Sequence, residues 1–175
     1  WRTILEKKDR PAGLVLSRQN LPVWAREDIH SDTEGEKFAS AEGTARGGYV
    51  MADTEGTPDV ILIATGSEIE IVLEARHKLS EKGIAARVVS MPSREWFNEQ
   101  SNEYRESVLP SSVAARVSVE AGLGMSWYDL LGSAGRAVSI EPFGASADAK
   151  TLYREFGITP EAVVTAAEES IASVK

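Results

Sequence analysis

Apolar residues follow two repeating patterns after residue 45. Five short apolar runs predict strands, and helical spacing or tight turns separate them: residues 48–51, 60–64, 87–92, 114–120 and 137–140. The run 60–64 is continuously apolar, which is typical of a strand covered on both faces. Strands joined through helices are parallel, whereas the turn at 54–58 is too short for a parallel crossover. The pattern predicts an α/β three-layer sandwich with a mostly parallel five-stranded sheet and one antiparallel edge strand.

A helix is predicted directly after the second run. Ser67 and Glu70 match a capping box, and apolar residues recur at helical spacing until Gly83, which supplies a left-handed stop. The outer face of this helix is expected to carry its charged residues, Glu68, Glu70, Glu74 and Lys78.

Four further helices are indicated downstream, and one of them follows the tight turn at residues 122–124 and contains Trp127, Tyr128 and Leu131. Ser93 is expected to cap a short helix, a second helix should end at Gly157, and Thr159 should cap a last helix that begins at Pro160.

Residues 14–21 begin as an apolar run and continue as a polar loop that contains an arginine. Leu14-Val15-Leu16 followed by Ser17-Arg18-Gln19-Asn20 predicts a buried parallel strand whose carboxyl end opens onto a ligand crevice. The Arg18 guanidinium could hold a phosphate bidentately, although pairing with a carboxylate of the fold is an open alternative.

A polar stretch divides the chain. Residues 27–42 are rich in Asp, Glu, Ser, Thr and Gly, so a linker without an element is predicted there, and the composition changes near Ala45. The chain begins at Trp1 without an initiator methionine, and we expect a piece of a longer protein that comprises one domain and a flanking segment.

Charge and composition exclude several classes of function. The 175 residues carry 19 Lys and Arg against 27 Asp and Glu, a formal charge of −8, which disfavours nucleic acid and anionic lipid as partners. Neither a membrane-spanning window nor a signal peptide is recognisable, so a soluble protein is expected. The absence of cysteine excludes disulfides and thiol catalysis. His30 and His77 lack ligand neighbours at metal-binding spacing and are interpreted as surface residues.

The loops after the parallel strands should line one rim of the sheet. Residues 65–67 could bind an anion at a helix N-terminus, but they lack the glycines and lysine of a phosphate loop, which favours a capping role. Glu120 and Glu141 each end a strand at this rim and could form an acid–base pair. Pairing with Arg116, Arg136 or backbone amides is the favoured alternative.

Other candidate side chains indicate structure rather than chemistry. Ser17, Ser67 and Ser93 have no convincing histidine partner and no nucleophile elbow surrounds them, so serine catalysis is not expected. The aromatic side chains at helical spacing are interpreted as core or subunit-interface residues: Trp96, Trp127 and Tyr128.

Six segments, in order and spacing, resemble the transketolase family. They are residues 16–22 (Leu-Ser-Arg-Gln-Asn-Leu-Pro), 63–68 (Ile-Ala-Thr-Gly-Ser-Glu), 87–92 (Arg-Val-Val-Ser-Met-Pro), 104–110 (Tyr-Arg-Glu-Ser-Val-Leu-Pro), 119–122 (Val-Glu-Ala-Gly) and 143–147 (Phe-Gly-Ala-Ser-Ala). The match covers nearly the whole chain, and the sequence of these segments is similar to that of bacterial members.

The resemblance implies a domain organisation and an activity. Residues 1–26 would end the pyrimidine-binding domain, residues 27–45 would form the linker, and residues 46–175 would form the carboxyl-terminal α/β domain. Members transfer a two-carbon ketol group between sugar phosphates in the pentose phosphate pathway. They use thiamine diphosphate and Mg²⁺ (or Ca²⁺) and work as cytoplasmic homodimers.

The resemblance also assigns the site residues. Arg18 matches the family's substrate-phosphate arginine, whereas the family's catalytic, cofactor-binding and metal-binding residues lie upstream of this sequence. The fragment is therefore expected to be non-catalytic alone, to bind neither cofactor nor metal, and to contribute subunit contacts and Arg18.

Two other interpretations stay open at this point. One is the corresponding domain of deoxyxylulose-phosphate synthase or of a ketoacid dehydrogenase β subunit, against which residues 17–22 argue. The other is a freestanding anion-binding regulatory module that uses the rim at residues 65–67.

Overall fold

A five-stranded mixed sheet forms the centre of the protein. The computed structural model describes residues 2–27 and 36–174. The strands are, in chain order, β1 (Tyr49–Ala52), β2 (Val60–Ala64), β3 (Ala86–Ser90), β4 (Arg116–Glu120) and β5 (Arg136–Ser139). Their spatial order is β1-β3-β2-β4-β5. Strands β2 to β5 are parallel, and β1 pairs antiparallel with β3 at one edge. The predicted mixed sheet is confirmed.

Helices cover both faces of this sheet. They are α1 (Arg2–Glu6), α2 (Glu68–Glu81), α3 (Arg94–Asn98), α4 (Asn102–Val108), α5 (Tyr128–Leu131), α6 (Ala149–Glu155) and α7 (Pro160–Val174), with 3-10 helices at Ala41–Arg46 and Gly124–Trp127. Within residues 2–27 and 36–174, no helix combines the length and the hydropathy needed to cross a bilayer.

Strand β2 divides the interior into two apolar cores. Val60, Leu62 and Ala64 face the core formed with α2 and α7, whereas Ile61 and Ile63 face the core that contains Phe97 and Trp127 of the opposite layer. All five side chains of β2 are 0% exposed. The continuous apolar run is thus explained by burial on both faces, and each large side chain contributes about 1.5–3 kcal/mol.

Local helix signals in the sequence are largely realised. The Ser93 side chain accepts a hydrogen bond from the Trp96 N–H, and the Thr159 hydroxyl accepts one from the Ala162 N–H. Helix α7 begins at Pro160. These caps succeed because each depends on only a few consecutive residues.

The expectation of a buried strand at residues 14–21 is wrong. This segment has no regular secondary structure, and Val15 is 96% exposed. Among the described residues no strand pairs with it, and an extended segment needs such a neighbour to bond its backbone.

The predicted linker is more structured than its composition suggests. Phe38 is only 7% exposed, packs edge-to-face on Trp24 at 5.6 Å, and belongs to the core on the α2 side. Arg26 and Phe38 also form an isolated parallel bridge. Glu36 also pairs with Arg76 at 2.7 Å, and the Ala39 N–H donates to the Met51 carbonyl at 3.0 Å. The described part of the predicted linker is therefore tied to the fold at several points, while its residues 28–35 lie outside the described residues.

Gly47 lies where the chain enters the sheet, and it provides a test of the fold. Its φ is +83°, and a Cβ there would overlap backbone atoms of Ser93 and Phe97. We expect Gly47→Ala to lower the free energy of unfolding well beyond the roughly 1–2 kcal/mol of left-handed strain alone. Chemical denaturation measures this.

Gly56 is the matched control, because its φ is +72° and a Cβ there would meet nothing within 4 Å. Gly56→Ala should cost only the backbone strain. Equal destabilisation by the two substitutions would contradict the described packing at Gly47.

Candidate functional site at the carboxyl edge of the sheet

A buried carboxylate lies at the rim of the sheet, directly after the loop that follows β2. Glu68 is the first residue of α2 and is 5% exposed, so the expectation that it lies on the outer face is wrong. Its position follows from β2: because the strand is covered on both faces, the residues immediately after it remain close to the core. A buried carboxylate requires hydrogen-bond donors.

Those donors come from two other elements. The Tyr153 hydroxyl of α6 donates to Glu68 Oε1 at 2.9 Å, and the Ala121 N–H donates to the same oxygen at 3.2 Å. Ser67 Oγ lies 2.7 Å from the Tyr153 hydroxyl and 3.3 Å from Glu68 Oε2. We name Ser67, Glu68 and Tyr153 the rim network. It joins the loop after β2, the loop after β4 and helix α6.

The predicted capping box of Ser67 and Glu70 is also wrong. Ser67 has helical dihedral angles, and its side chain makes no capping hydrogen bond. Tyr153 donates its single proton to Glu68. The Ser67 hydroxyl lies within hydrogen-bonding distance of both Glu68 Oε2 and the Tyr153 oxygen, and its one proton serves one of these two acceptors at a time.

The Tyr153 hydroxyl is held in its protonated form. Burial raises the pKa of Tyr153 to about 12, and the negative charge of Glu68 adds to this rise, while hydrogen bonding by Ser67 and Gln19 opposes it. Tyr153 therefore acts here as a neutral donor to Glu68.

Ser17 lies near the same rim. The hydroxyl of Ser17 is 3.7 Å from the position that a Cβ on Gly66 would occupy. The backbone bends at Arg18 and Gln19; Gln19 is half-buried, while Arg18 is exposed. In the part of the chain that the structure describes, Arg18 has no hydrogen bond and no ion pair. The alternative in which Arg18 pairs with a carboxylate is not realised among these residues.

Glu120 and Glu141, the two glutamates at the strand ends, share no hydrogen-bond partner among the described residues. Glu141 accepts hydrogen bonds from the Gly124 N–H at 3.2 Å and from the Ser139 hydroxyl at 2.8 Å, which is the expected pairing with a backbone amide. Glu120 is half-buried, and burial followed by the charge of Glu68 raises the pKa of its carboxyl.

Of the alternative partners predicted for these glutamates, the two arginines are engaged elsewhere. The Arg116 guanidinium donates to four backbone carbonyls, those of Val113, Leu130, Leu109 and Pro110. Arg136 pairs with Glu169 at 3.4 Å and donates to the carbonyls of Ala134 and Gly135. Arg116 and Arg136 therefore donate hydrogen bonds to backbone carbonyls at loop ends, although charge alone would pair them with Glu120 and Glu141.

The other candidate side chains have structural neighbours. His77 is exposed and lies 3.5 Å from Glu81, whereas His30 lies outside the described residues. Trp127 is buried as expected for a core residue, and Trp96 is half-buried beneath the Lys7 ammonium. Tyr128 is 57% exposed, so a core role is wrong for it.

One cleft of the protein lies away from the rim. It measures about 700 Å³ and lies between α1 and the 3-10 helix at Ala41–Arg46. Its charged side chains already contact neighbours: Arg2 pairs with Glu6 at 2.9 Å, and Arg46 lies over the Tyr104 ring. We therefore place the candidate site at the rim, where buried polar groups converge.

The rim does not suit thiamine diphosphate or its metal ion. In residues 2–27 and 36–174, no three acidic or histidine side chains lie close enough together to hold a metal ion. The carboxylates of Glu68 and Glu120 would repel a diphosphate at the N-terminus of α2. No reaction step is therefore assigned to a cofactor held by these residues.

The raised pKa of Glu120 predicts a pH-dependent effect on stability. Since the folded-state pKa lies above the unfolded-state value, ionised Glu120 lowers stability as pH rises through the folded-state pKa. Glu120→Gln should raise the free energy of unfolding at pH 7, and the gain should vanish below about pH 4, where the carboxyl is protonated in both states. Denaturation at the two pH values measures this.

Glu141→Gln serves as the control, because the carboxylate of Glu141 receives two hydrogen bonds and should not gain from neutralisation. A Glu120→Gln variant that is no more stable than wild type at pH 7 would contradict the electrostatic assignment.

Comparisons with known proteins agree with this architecture. The family model described as "Transketolase-like TK C-terminal domain" matches residues 47–159. A transketolase from Mycobacterium leprae is 52% identical over 175 residues, covering 97% of this chain and 23% of the relative. A chloroplastic transketolase from Craterostigma plantagineum is 49% identical over 173 residues, covering 98% of this chain and 31% of the relative.

A solved structure shows the same fold. Transketolase from Leishmania mexicana superposes with a TM-score of 0.71 at 38% identity, covering 80% of this chain and 20% of that protein. Transketolase from Pichia stipitis, solved with sedoheptulose 7-phosphate, gives a TM-score of 0.70 at 34% identity and covers 89% of this chain and 20% of that protein. The chain thus spans about a quarter of the length of the curated relative from Mycobacterium leprae. On the family match, the identity and the shared fold together, the chain belongs to the transketolase family.

Proposed function

We propose that this chain is the carboxyl-terminal part of a transketolase. Residues 1–26 end the pyrimidine-binding domain, residues 27–45 connect the domains, and residues 46–175 form the carboxyl-terminal domain. The family match at residues 47–159 supports the last of these boundaries. The chain aligns over 97% of its length with 23% of the Mycobacterium leprae relative, and this supports a larger parent protein.

The parent enzyme transfers a two-carbon ketol group from a ketose phosphate to an aldose phosphate in the pentose phosphate pathway. Family membership supports this activity, and the sugar phosphate bound to the Pichia stipitis relative supports the substrate class. Thiamine diphosphate and Mg²⁺ (or Ca²⁺) are held by the rest of a cytoplasmic homodimer. The described residues of this chain contribute no ligand to them.

Within this enzyme, Arg18 binds the terminal phosphate of the substrate. The observation that carries this assignment is that Arg18 is exposed and has no hydrogen bond or ion pair within the described residues. A guanidinium matches a phosphate bidentately. Phosphate binding at the far end of the sugar orients the carbonyl at the reacting end and keeps the substrate from rotating.

The anion-binding regulatory module is the weaker alternative. Two carboxylates, Glu68 and Glu120, lie at the rim that this interpretation requires, and the Glu68 side chain already accepts a hydrogen bond from the Ala121 amide. A free anion would meet like charge there. Family membership in turn favours transketolase over the related thiamine enzymes.

The role of Arg18 is tested in the full-length enzyme. Arg18→Ala removes a charge-assisted contact worth about 1.5–3 kcal/mol, so kcat/KM for phosphorylated acceptors should fall at least ~tenfold. Acceptors without a phosphate should be nearly unaffected. If the contact is equally strong in the ground and transition states, the loss appears in KM, whereas use of binding energy for orientation also lowers kcat.

Arg154→Ala is the matched control, because Arg154 is exposed and, among the described residues, pairs only with Glu155 beside it on the surface. It should leave both kinds of acceptor unchanged. An equal loss for phosphorylated and unphosphorylated acceptors in Arg18→Ala would mean that Arg18 is structural.

The isolated chain provides a separate test. We expect no ketol transfer and negligible binding of thiamine diphosphate, since a preorganised cofactor site supplies most of the rate enhancement. Calorimetric titration with thiamine diphosphate and Mg²⁺, together with a coupled activity assay, measures both. Turnover by a chain purified free of full-length enzyme would contradict the proposal.

A further inference from the structure

A small polar cleft lies in the helical layer that contains Phe97 and Leu130. Its volume is about 250 Å³, and its wall is formed by the end of α3, by α4, by α5 and by the start of β4. The polar side chains of this wall are Asn98, Asn102, Arg105, Glu106, Arg116 and Asp129. We propose that this cleft is a non-catalytic binding site for the phosphate group of a small molecule.

Arg105 is a cation without a partner of opposite charge. Among the described residues it forms no ion pair, and its Nη2 donates a hydrogen bond to the side-chain oxygen of Asn102. Its Nε is buried without a hydrogen-bond partner, and its Nη1 makes no hydrogen bond within the same part of the chain. Buried donors without an acceptor are costly and rare in proteins. The guanidinium of Arg105 therefore retains donors for an oxyanion.

Arg116 adds a second positive charge to the same wall. Its guanidinium donates to four backbone carbonyls and forms no ion pair with any described residue. These carbonyl oxygens satisfy its donors but do not neutralise its charge. Burial lowers the pKa of Arg116 and the charge of Glu106 opposes this, yet an arginine side chain stays protonated in proteins.

The two carboxylates of the wall do not cancel these charges. The two carboxylate oxygens of Asp129 lie 2.6 and 2.7 Å from Arg94 Nη2, so this carboxylate is paired with an arginine outside the wall. Glu106 is exposed and accepts a hydrogen bond from the Ser111 N–H at 2.9 Å. Two guanidinium charges thus face one unpaired carboxylate. The cleft has a net charge of +1 (two minus one) in a chain whose formal charge is −8.

The size and the donors of the cleft favour a phosphate group. A volume of about 250 Å³ corresponds to roughly eight water molecules and is smaller than the pockets that enclose drug-sized ligands. It therefore suits a phosphate with a short attached group. A guanidinium binds phosphate oxygens through parallel N–H bonds, and the amides of Asn98 and Asn102 offer neutral donors beside it.

The cleft is separate from the rim and from Arg18. Arg116 is the first residue of β4, and Glu120 ends the same strand at the rim. The length of the strand, about 13 Å, lies between these two residues. Ser17, the residue before Arg18, lies near Gly66 at the rim. Phosphate binding in the cleft is therefore independent of the role proposed for Arg18.

Calorimetric titration of the full-length holoenzyme with sodium phosphate at constant ionic strength tests the proposal. Every protein of the series carries Arg18→Ala, which removes the phosphate contact proposed for the substrate. We expect saturable binding in this background, and at least ~tenfold weaker binding after Arg105→Gln, because hydrogen bonds from a charged donor are lost. Arg154→Gln removes one exposed positive charge elsewhere and should leave the affinity unchanged.

Two results of this titration would overturn the proposal. One is the absence of saturable phosphate binding, and the other is an affinity that Arg105→Gln and Arg154→Gln change equally. The choice of ligand is tested with sodium acetate at the same ionic strength, which carries one carboxylate and a single charge. Acetate should bind more weakly than phosphate, and equal affinities would contradict a phosphate site.

Glu106→Gln provides a test that misfolding cannot imitate, because binding should become tighter. It removes the negative charge that faces the two arginines and keeps an oxygen for the Ser111 N–H. The phosphate affinity should rise about two- to fivefold. Glu103→Gln is the matched control, since Glu103 is an exposed residue of the same helix that does not line the cleft. Equal gains in both variants would show a long-range charge effect and would overturn the proposal.

Discussion

Burial of β2 on both faces is the constraint on which the rest of the structure depends. Its five side chains are fully covered, so the chain emerges at the carboxyl edge of the sheet with Glu68 still inside the protein. A buried carboxylate is costly unless donors surround it. The loop after β4 and helix α6 supply those donors through Ala121 and Tyr153. The acidic rim is therefore a consequence of the central strand.

This rim offers little chemistry of its own. The described residues of the rim hold no constellation suited to a metal or a diphosphate, and the carboxylates disfavour a free anion. Ser17 lies near the rim, one residue before Arg18, which has no hydrogen bond or ion pair among the described residues. The proposed contribution of this chain to a transketolase is the phosphate-binding side chain of Arg18.

The sequence predicts what depends on neighbouring residues and misses what depends on distant ones. The apolar run 60–64, the Ser93 cap and the start of α7 at Pro160 follow from local pattern, and the structure contains all three. Glu68 looks like an exposed helix residue because Tyr153, its partner, is 85 positions away. Periodicity also fails at residues 14–21, since an apolar run becomes a strand only beside another strand. For Arg18, the family resemblance rather than spacing suggests the role.

The most direct test of the account is an experimental structure of the full-length enzyme with a bound sugar phosphate. The account predicts the phosphate within hydrogen-bonding distance of the Arg18 guanidinium, while the Tyr153 hydroxyl still donates to Glu68. A phosphate bound away from Arg18, or an Arg18 side chain paired with Glu68 or Glu120 in the complex, would contradict it.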